Sequence, residues 1–214
     1  MAIAWGQIET AGITGGNERC VEIPLGLDFL RMDTPGVVLD AGCALNGHIP
    51  DVHTAQIVHL SQSLNSEKRG RGDMFTSYVA WDLRTMDRLF RVGAFHRAVC
   101  ISTLEHVGME NASYGGTTEH DPKSQRVALV QLAEVARSWL ITVPYRQTPI
   151  DFGKWRHWGP DLVADTCEHL KAEARYWGRV GGVWVGGGTD PLAVDDDGGS
   201  ETVTQIVAIR SKGD

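Results

Sequence analysis

Five short apolar runs, each closed by a polar or glycine-bearing turn, set the rhythm of this chain. Val37–Ala41, Ile57–Leu60, Ser77–Trp81, Arg97–Ile101 and Trp139–Val143 are close to continuous in apolar and β-branched residues, the pattern of strands covered on both faces. Residues 123–137 place Val127, Leu129, Val130, Leu132, Ala133 and Val135 near helical spacing, which predicts an amphipathic helix. A second helix is expected over Asp161–Leu170, since Pro160 just ahead of it suits a first helical turn. Thr202–Arg210 reads as the final strand, and both 173–177 and 182–185 qualify as the strand before it. Asn17–Leu30 reads as an entry segment leading to a short helix over one sheet edge, within an N-terminal cover of residues 1–30. Strands alternating with helices predict an α/β, doubly wound, mostly parallel sheet whose ligand sits outside the carboxyl ends of the strands. Asp40, Asp82 and Ser102 fall at that edge.

Composition narrows this picture. With 214 residues, 42% of them hydrophobic, the chain can bury one sizeable core, so a single domain over 1–214 is expected. A formal net charge of −7 without a Lys/Arg block lacks the electrostatic footprint of a phosphate-backbone binder, and nucleic acid is not an expected partner. No apolar run approaches the roughly 20 residues of a membrane span, and Met1–Gly6 carries no basic region ahead of an apolar core; the expectation is no membrane and a cytoplasmic location. Cys20, Cys43, Cys100 and Cys167 are scattered without a C-x-x-C pair, which argues against a structural zinc site or a disulfide framework. Glycines clustered over 178–199 with Asp195–Asp197 predict a flexible, acidic, glycine-rich loop at 186–200.

Two segments carry the chemistry. Val37-Val-Leu-Asp-Ala-Gly-Cys-Ala-Leu-Asn-Gly47 is a strand, an acid and a glycine loop, and Phe95-His-Arg-Ala-Val-Cys-Ile-Ser-Thr-Leu-Glu-His-Val107 is a second strand running into Leu-Glu-His. A dinucleotide fold is the competitor for the first, but Cys43 and Ala44 follow Gly42 where G-x-G-x-x-G needs its second glycine. The two segments together resemble the class I S-adenosylmethionine-dependent methyltransferases, whose first motif reads roughly V-L-D-x-G-C-G-x-G and whose fourth reads F-D-x-V followed by L-E-H. The likeness runs from about Glu22 to Arg210. More narrowly, Ile101–Asn111 with Tyr114-Gly115, then Ile141–Tyr145, resembles a bacterial branch assigned to small-molecule or glycan tailoring.

That resemblance implies a Rossmann-like, seven-stranded sheet with a C-terminal antiparallel hairpin and S-adenosyl-L-methionine as cofactor. It implies that Asp40, Gly42, Cys43, Ala44, Asn46 and Gly47 wrap the methionine and ribose part, the acid favouring the cofactor's positive charge. Asp82 would accept from the adenine amino group and the Leu83 N–H would reach a ring nitrogen, while Ile101 and Ser102 would end the strand that faces the methyl group. Four departures stand out: Ala44 replaces a glycine, His96 replaces the aspartate of F-D, and Leu60 is followed by Ser61 and Gln62 instead of the usual ribose-binding acid. A neutral ribose partner costs about 1 kcal/mol relative to a charge-assisted one. The fourth is Ser102, which replaces the first Glu of a metal-binding E-x-x-E-H arrangement known in related branches, so no metal site is expected.

Glu105 and His106 are the candidate general bases, with a pocket-shaping role as the alternative. Tyr114, Tyr145 and Trp155, in loops after the fourth and fifth strands, are candidates for stacking on an acceptor ring. The expected activity is methyl transfer to a hydroxyl, and secondarily an amine, of a small molecule or sugar. A second copy of the chain, as a homodimer, is the other partner allowed for. Competing readings are a non-catalytic relative acting as a binding or regulatory partner, and an aminopropyl transferase using a related donor.

Overall fold

The computed structural model describes residues 13–14, 16–31, 36–46, 48, 55–62, 76–110, 120–193 and 202–212. In chain order the elements are β1 (Ile13–Thr14), α1 (Arg19–Leu30), β2 (Gly36–Ala41), β3 (Ala55–Ser61), β4 (Thr76–Ala80), β5 (Phe95–Ile101), α2 (Ser124–Val135), β6 (Ala136–Pro144), α3 (Pro160–His169), β7 (Ala172–Val180), β8 (Val183–Gly188) and β9 (Gln205–Ser211). Short 3-10 turns occupy Leu83–Arg88 and Leu104–His106. All strands join one sheet in the order β1-β8-β7-β9-β6-β5-β2-β3-β4.

The neighbours β4, β3, β2, β5 and β6 run parallel, and β9 lies antiparallel between β6 and β7. Successive residues point to opposite faces, so Val38, Val99 and Ile206 enter one core while Leu39, Ala98 and Val207 enter the other. Both faces are apolar because helices cover both: α1 lies over β5 and β6, whereas α2 and α3 pack on the opposite side against β6 and β7. This two-sided cover is why the strands read as unbroken apolar runs.

The sheet departs from the sequence reading in its edges. Among the described residues it has nine strands, not seven, because both candidate segments before the last strand are used and β1 adds another. Val180 pairs with Val183 across Gly181 and Gly182, whose φ of +57° and +79° supply the two left-handed positions of a two-residue hairpin turn. β1 then adds to the far side of β8. Gly186 and Gly188 pair with Trp177 and Tyr176, so the expected glycine-rich loop of 186–200 begins as strand; its residues 194–200 lie outside the described part. The entry helix α1 covers a sheet face through Val21, Leu25 and Leu30, not an edge. The helix expected to reach 137 stops at Val135, because Ala136 already pairs with Phe95 as the first residue of β6. Among the described residues no helix is long and apolar enough to cross a membrane.

Candidate functional site

A cavity of about 390 Å³ opens at the carboxyl ends of β5, β2, β3 and β4. Its centre is the turn after β2. Gly42 donates its N–H to the Leu60 carbonyl at 2.6 Å and holds φ at +106°, a conformation that only glycine adopts without strain. A Cβ there would sit 2.1 Å from Thr103 Oγ1, so the ends of β2 and β5 meet side to side. Cys43 continues the turn at φ +58°, and it and Ala44 form the wall beyond.

Ser61 and Gln62 stand on the wall at the end of β3, and Asp82 and Leu83 at the end of β4. Asp82 opens the 3-10 turn by accepting the Arg84 N–H at 2.9 Å. The Arg84 guanidinium also grips both carboxylate oxygens, Nε donating to Oδ1 at 3.1 Å and to Oδ2 at 3.0 Å, and Nη2 to Oδ2 at 2.6 Å. Partial burial pushes the Asp82 carboxyl up, but the bonds from Arg84 outweigh it and leave the group below its ordinary value. The acid expected to meet an adenine amino group is thus already ion-paired within the wall.

Asp40 is not on that wall. Its carboxylate is fully buried and turned inward, where Oδ2 accepts the Leu45 N–H at 3.0 Å and the His59 Nδ1–H at 2.8 Å. His59 stacks on Tyr78, whose hydroxyl donates to Asn46 Oδ1 at 3.0 Å. Asp40 and Asn46 therefore brace the loop from behind, correcting the expectation that the acid faces the ligand's charge. Ile101 is wholly buried in the core, and its carbonyl accepts from Thr103 and Arg19. Gly47 lies outside the described residues.

At the end of β5 the Leu-Glu-His triplet splits. Ser102 and His106 reach the cavity wall, but Glu105 points into the interior with its side chain 3% exposed. Burial, and then the nearby charge of Glu22, push its carboxyl well above the ordinary value. A one-turn 3-10 helix rotates each residue by about 120°, so adjacent residues cannot share a face. Glu105 as a base in contact with an acceptor is therefore corrected. His106 Nδ1 sits 3.0 Å from the Lys154 carbonyl, which can only accept, so Nδ1 carries the proton and Nε2 is left as the acceptor. Burial lowers the pKa of His106 against the opposing effect of that carbonyl.

Two acceptor-ring candidates are also corrected. Tyr145 is buried beneath the sheet end, donating to Gln147 Oε1 at 3.0 Å and meeting Tyr176 edge to face. Trp155 stacks on Phe152 with ring centres 4.7 Å apart. Neither lines the cavity: Tyr145 packs into the apolar core and Trp155 against Phe152 and His157, where a ring gains from burial and ring contact. Tyr114 lies outside the described residues.

No family model matches the chain, and no curated protein matches it. Solved structures do. An S-adenosylmethionine-dependent methyltransferase of Archaeoglobus fulgidus superposes with a TM-score of 0.60 at 13% identity, over 92% of this chain and 95% of the other. An rRNA methylase of Streptococcus thermophilus gives 0.50 at 13% identity, over 90% and 97%. The 1,6-didemethyltoxoflavin N1-methyltransferase of Burkholderia thailandensis, solved with its substrate and S-adenosylhomocysteine, gives 0.50 at 15% identity, over 85% and 72%. The chain has the class I methyltransferase fold.

Within that methyltransferase fold the cavity occupies the crevice expected of an open parallel sheet. Sequence reasoning missed Arg19 and Glu22 on α1 and Arg84 after β4. Arg84 had a local signal, two residues after an acid that caps its turn. Nothing local marked Arg19 and Glu22, which reach the site through a contact 80 residues apart in the chain.

Proposed function

We propose that the protein is an S-adenosylmethionine-dependent methyltransferase acting on a hydroxyl, secondarily an amine, of a small molecule or sugar. The observation that carries this reading is one continuous cavity across the carboxyl ends of four adjacent parallel strands, β5, β2, β3 and β4. Three interstrand steps give it a length of about 14 Å, suited to an elongated nucleoside, and its volume of about 390 Å³ falls in the range of small-ligand sites. The residues present fit the cofactor. The Gly42–Ala44 turn offers backbone without obstructing side chains, Ser61 and Gln62 offer neutral partners to the ribose, and Asp82 with the Leu83 N–H offers an edge to the adenine. When bound, the cofactor supplies an already activated methyl group.

What remains for the chain is alignment and one proton. Holding acceptor and donor in line contributes several kcal/mol of barrier lowering, within the roughly 7–11 kcal/mol available to proximity. His106, on the wall and favoured in its neutral form, takes the acceptor's hydroxyl proton on Nε2 as the oxygen gains the methyl group. Glu105 lies beside that nitrogen, its Oε1 4.0 Å from His106 Nε2. Asp40, Asn46 and Ile101 shape the pocket from outside the wall.

Calorimetric titration with S-adenosylmethionine, S-adenosylhomocysteine and, as control, NADH tests the reading. Micromolar binding of the first two alone is expected; binding of none, or of NADH, sinks it. The grip of Arg84 on both Asp82 oxygens and the missing ribose acid favour one alternative, a non-catalytic binding partner, which predicts cofactor binding without turnover on any hydroxyl or amine acceptor.

A further inference from the structure

A buried glutamine joins the two segments that hold His106. Gln125, the second residue of α2, is 1% exposed. Its Nε2 donates to the Glu105 carbonyl at 3.0 Å, and its Oε1 accepts from Arg156 Nε and from Trp158 Nε1, each at 3.0 Å. The Glu105 carbonyl takes a second donor, the Arg156 N–H, at 3.3 Å. One side chain thus clamps the 3-10 turn that carries His106 to the segment 150–158 that carries the Lys154 carbonyl. That segment doubles back on itself: the Phe152 N–H donates to the Trp155 carbonyl at 2.9 Å and the His157 N–H to the Ile150 carbonyl at 3.0 Å, while the Trp155 ring touches those of Phe152 and His157. A buried amide is costly unless its hydrogen bonds are made. Gln125 makes three of the four open to it, all of them to these two segments.

We propose that Gln125 is a positioning residue that locks His106 in the tautomer with its proton on Nδ1, by holding the histidine's turn and the Lys154 carbonyl in register. The bond that selects this tautomer, from His106 Nδ1 to the Lys154 carbonyl at 3.0 Å, spans two irregular segments, and neither a helix nor a strand sets its length. What sets it is their common attachment to α2, a helix packed on the sheet core through Ala128, Leu129 and Leu132. Which imidazole nitrogen carries the proton depends on the bond that the other makes or receives, so a clamp on the segments is a clamp on the proton. Resting on the methyltransferase reading, the lock keeps Nε2 as the nitrogen that takes the acceptor's proton, and no tautomer exchange has to precede the step. Gln125 touches neither ligand nor cavity wall and acts only through His106.

The test reads the tautomer in the free chain by NMR of the histidine ring nitrogens, at about pH 8, above the ordinary histidine range. The His106 signals, among those of eight histidines, are assigned by their absence from His106→Gln. The wild-type chain is expected almost wholly as the Nδ1–H form. Gln125→Met, similar in length but without the amide, should move the tautomer ratio toward Nε2–H by about fivefold, the scale of one neutral hydrogen bond. Gln125→Glu keeps an acceptor for Arg156 and Trp158 but cannot donate to the Glu105 carbonyl, and should move the ratio less. If Gln125→Met fails to fold, the Gln125→Glu ratio carries the test. Leu132→Ala, two turns further along α2, opens a cavity in the core but removes no hydrogen bond to either segment, and should leave the ratio as in the wild type. An Nε2–H form in the wild type, or an unchanged ratio in every folded Gln125 variant, overturns the proposal. An equal shift in Leu132→Ala overturns it too, since general loosening would then suffice. The measurement uses no cofactor, so failure of S-adenosylmethionine to bind overturns the methyltransferase reading and leaves the tautomer result to stand or fall by itself.

Discussion

Asp40, beneath the middle of the cavity, and Glu22, beneath its β5 end, are both fully buried carboxylates, yet their partners lead in opposite directions. Asp40 is bound by the Leu45 N–H and by His59, both on the far side of the glycine turn from the ligand space. Glu22 is bound by Ser102 and Arg19, both on the wall itself. The first acid stabilises a backbone shape; the second sets what the wall presents. Burial of an acid near a strand end therefore does not reveal its role, and the direction of its hydrogen bonds does.

The sharpest break in this comparison is at the turn that separates the two acids. Gly42→Val would place a side chain where Thr103 already lies, with a Cβ 2.1 Å from Thr103 Oγ1, at a φ of +106°. Left-handed strain of about 1–3 kcal/mol adds to overpacking of about 1–3 kcal/mol, so a loss of about 4 kcal/mol in urea unfolding is expected. Any surviving folded protein should show no nucleoside binding, since the added carbons enter the cavity. A stable variant with unaltered affinity would mean that the β2 turn is not the floor of the site.

Next in size is Asp40→Asn. The amide oxygen can keep the bonds from Leu45 and His59, but its NH₂ then faces the place of Asp40 Oδ1, which has no partner among the described residues. Burying unsatisfied donors costs about 1–3 kcal/mol. A stability loss of about 2 kcal/mol is expected, with S-adenosylhomocysteine still bound. Loss of that binding in a folded variant would erase the distinction between the two acids, because it would place Asp40 at the ligand.

The parallel half of the sheet was legible in the chain because burial on both faces leaves an unbroken apolar run, and β2 to β6 cover those runs. The antiparallel margin was half legible: the pattern marked 173–177 and 182–185 as rivals, and only the glycine pair at 181–182 allows both to be strands of one hairpin. The wall residues Gly42, Cys43, Ala44, Ser61, Asp82, Leu83, Ser102 and His106 followed from their places at strand ends. What the pattern could not carry was direction within a turn and contact across the chain. Glu105 and His106 are adjacent letters of one 3-10 turn, yet the first is sealed in the interior while the second reaches the wall, and Tyr145 and Trp155 sit in loops whose rings fold inward. Arg19 and Glu22 belong to a helix whose docking depends on the assembled sheet.

The smallest effect separates Glu105 from both other acids. Burial and the Glu22 charge raise its carboxyl well above the ordinary 4.5, so the folded chain holds a proton that the unfolded chain releases above that value. Stability from this group is present in full below about pH 4.5 and is lost as pH rises toward the folded-state pKa, at a limiting slope of about 1.4 kcal/mol per pH unit. Glu105→Gln removes the titrating proton while keeping the shape and should flatten that decline. Urea midpoints measured from pH 5 to 8 should then fall less steeply in the variant than in the wild type, with the two nearly equal at pH 5. Glu22 is raised too, by burial, but Arg19, Ser102 and Thr142 offset part of that rise, so Glu22→Gln should flatten the profile less. Parallel profiles for wild type and Glu105→Gln would mean that Glu105 is ionised in the folded chain, a charge 4.0 Å from His106 Nε2 that would make the histidine a stronger base than its burial alone allows.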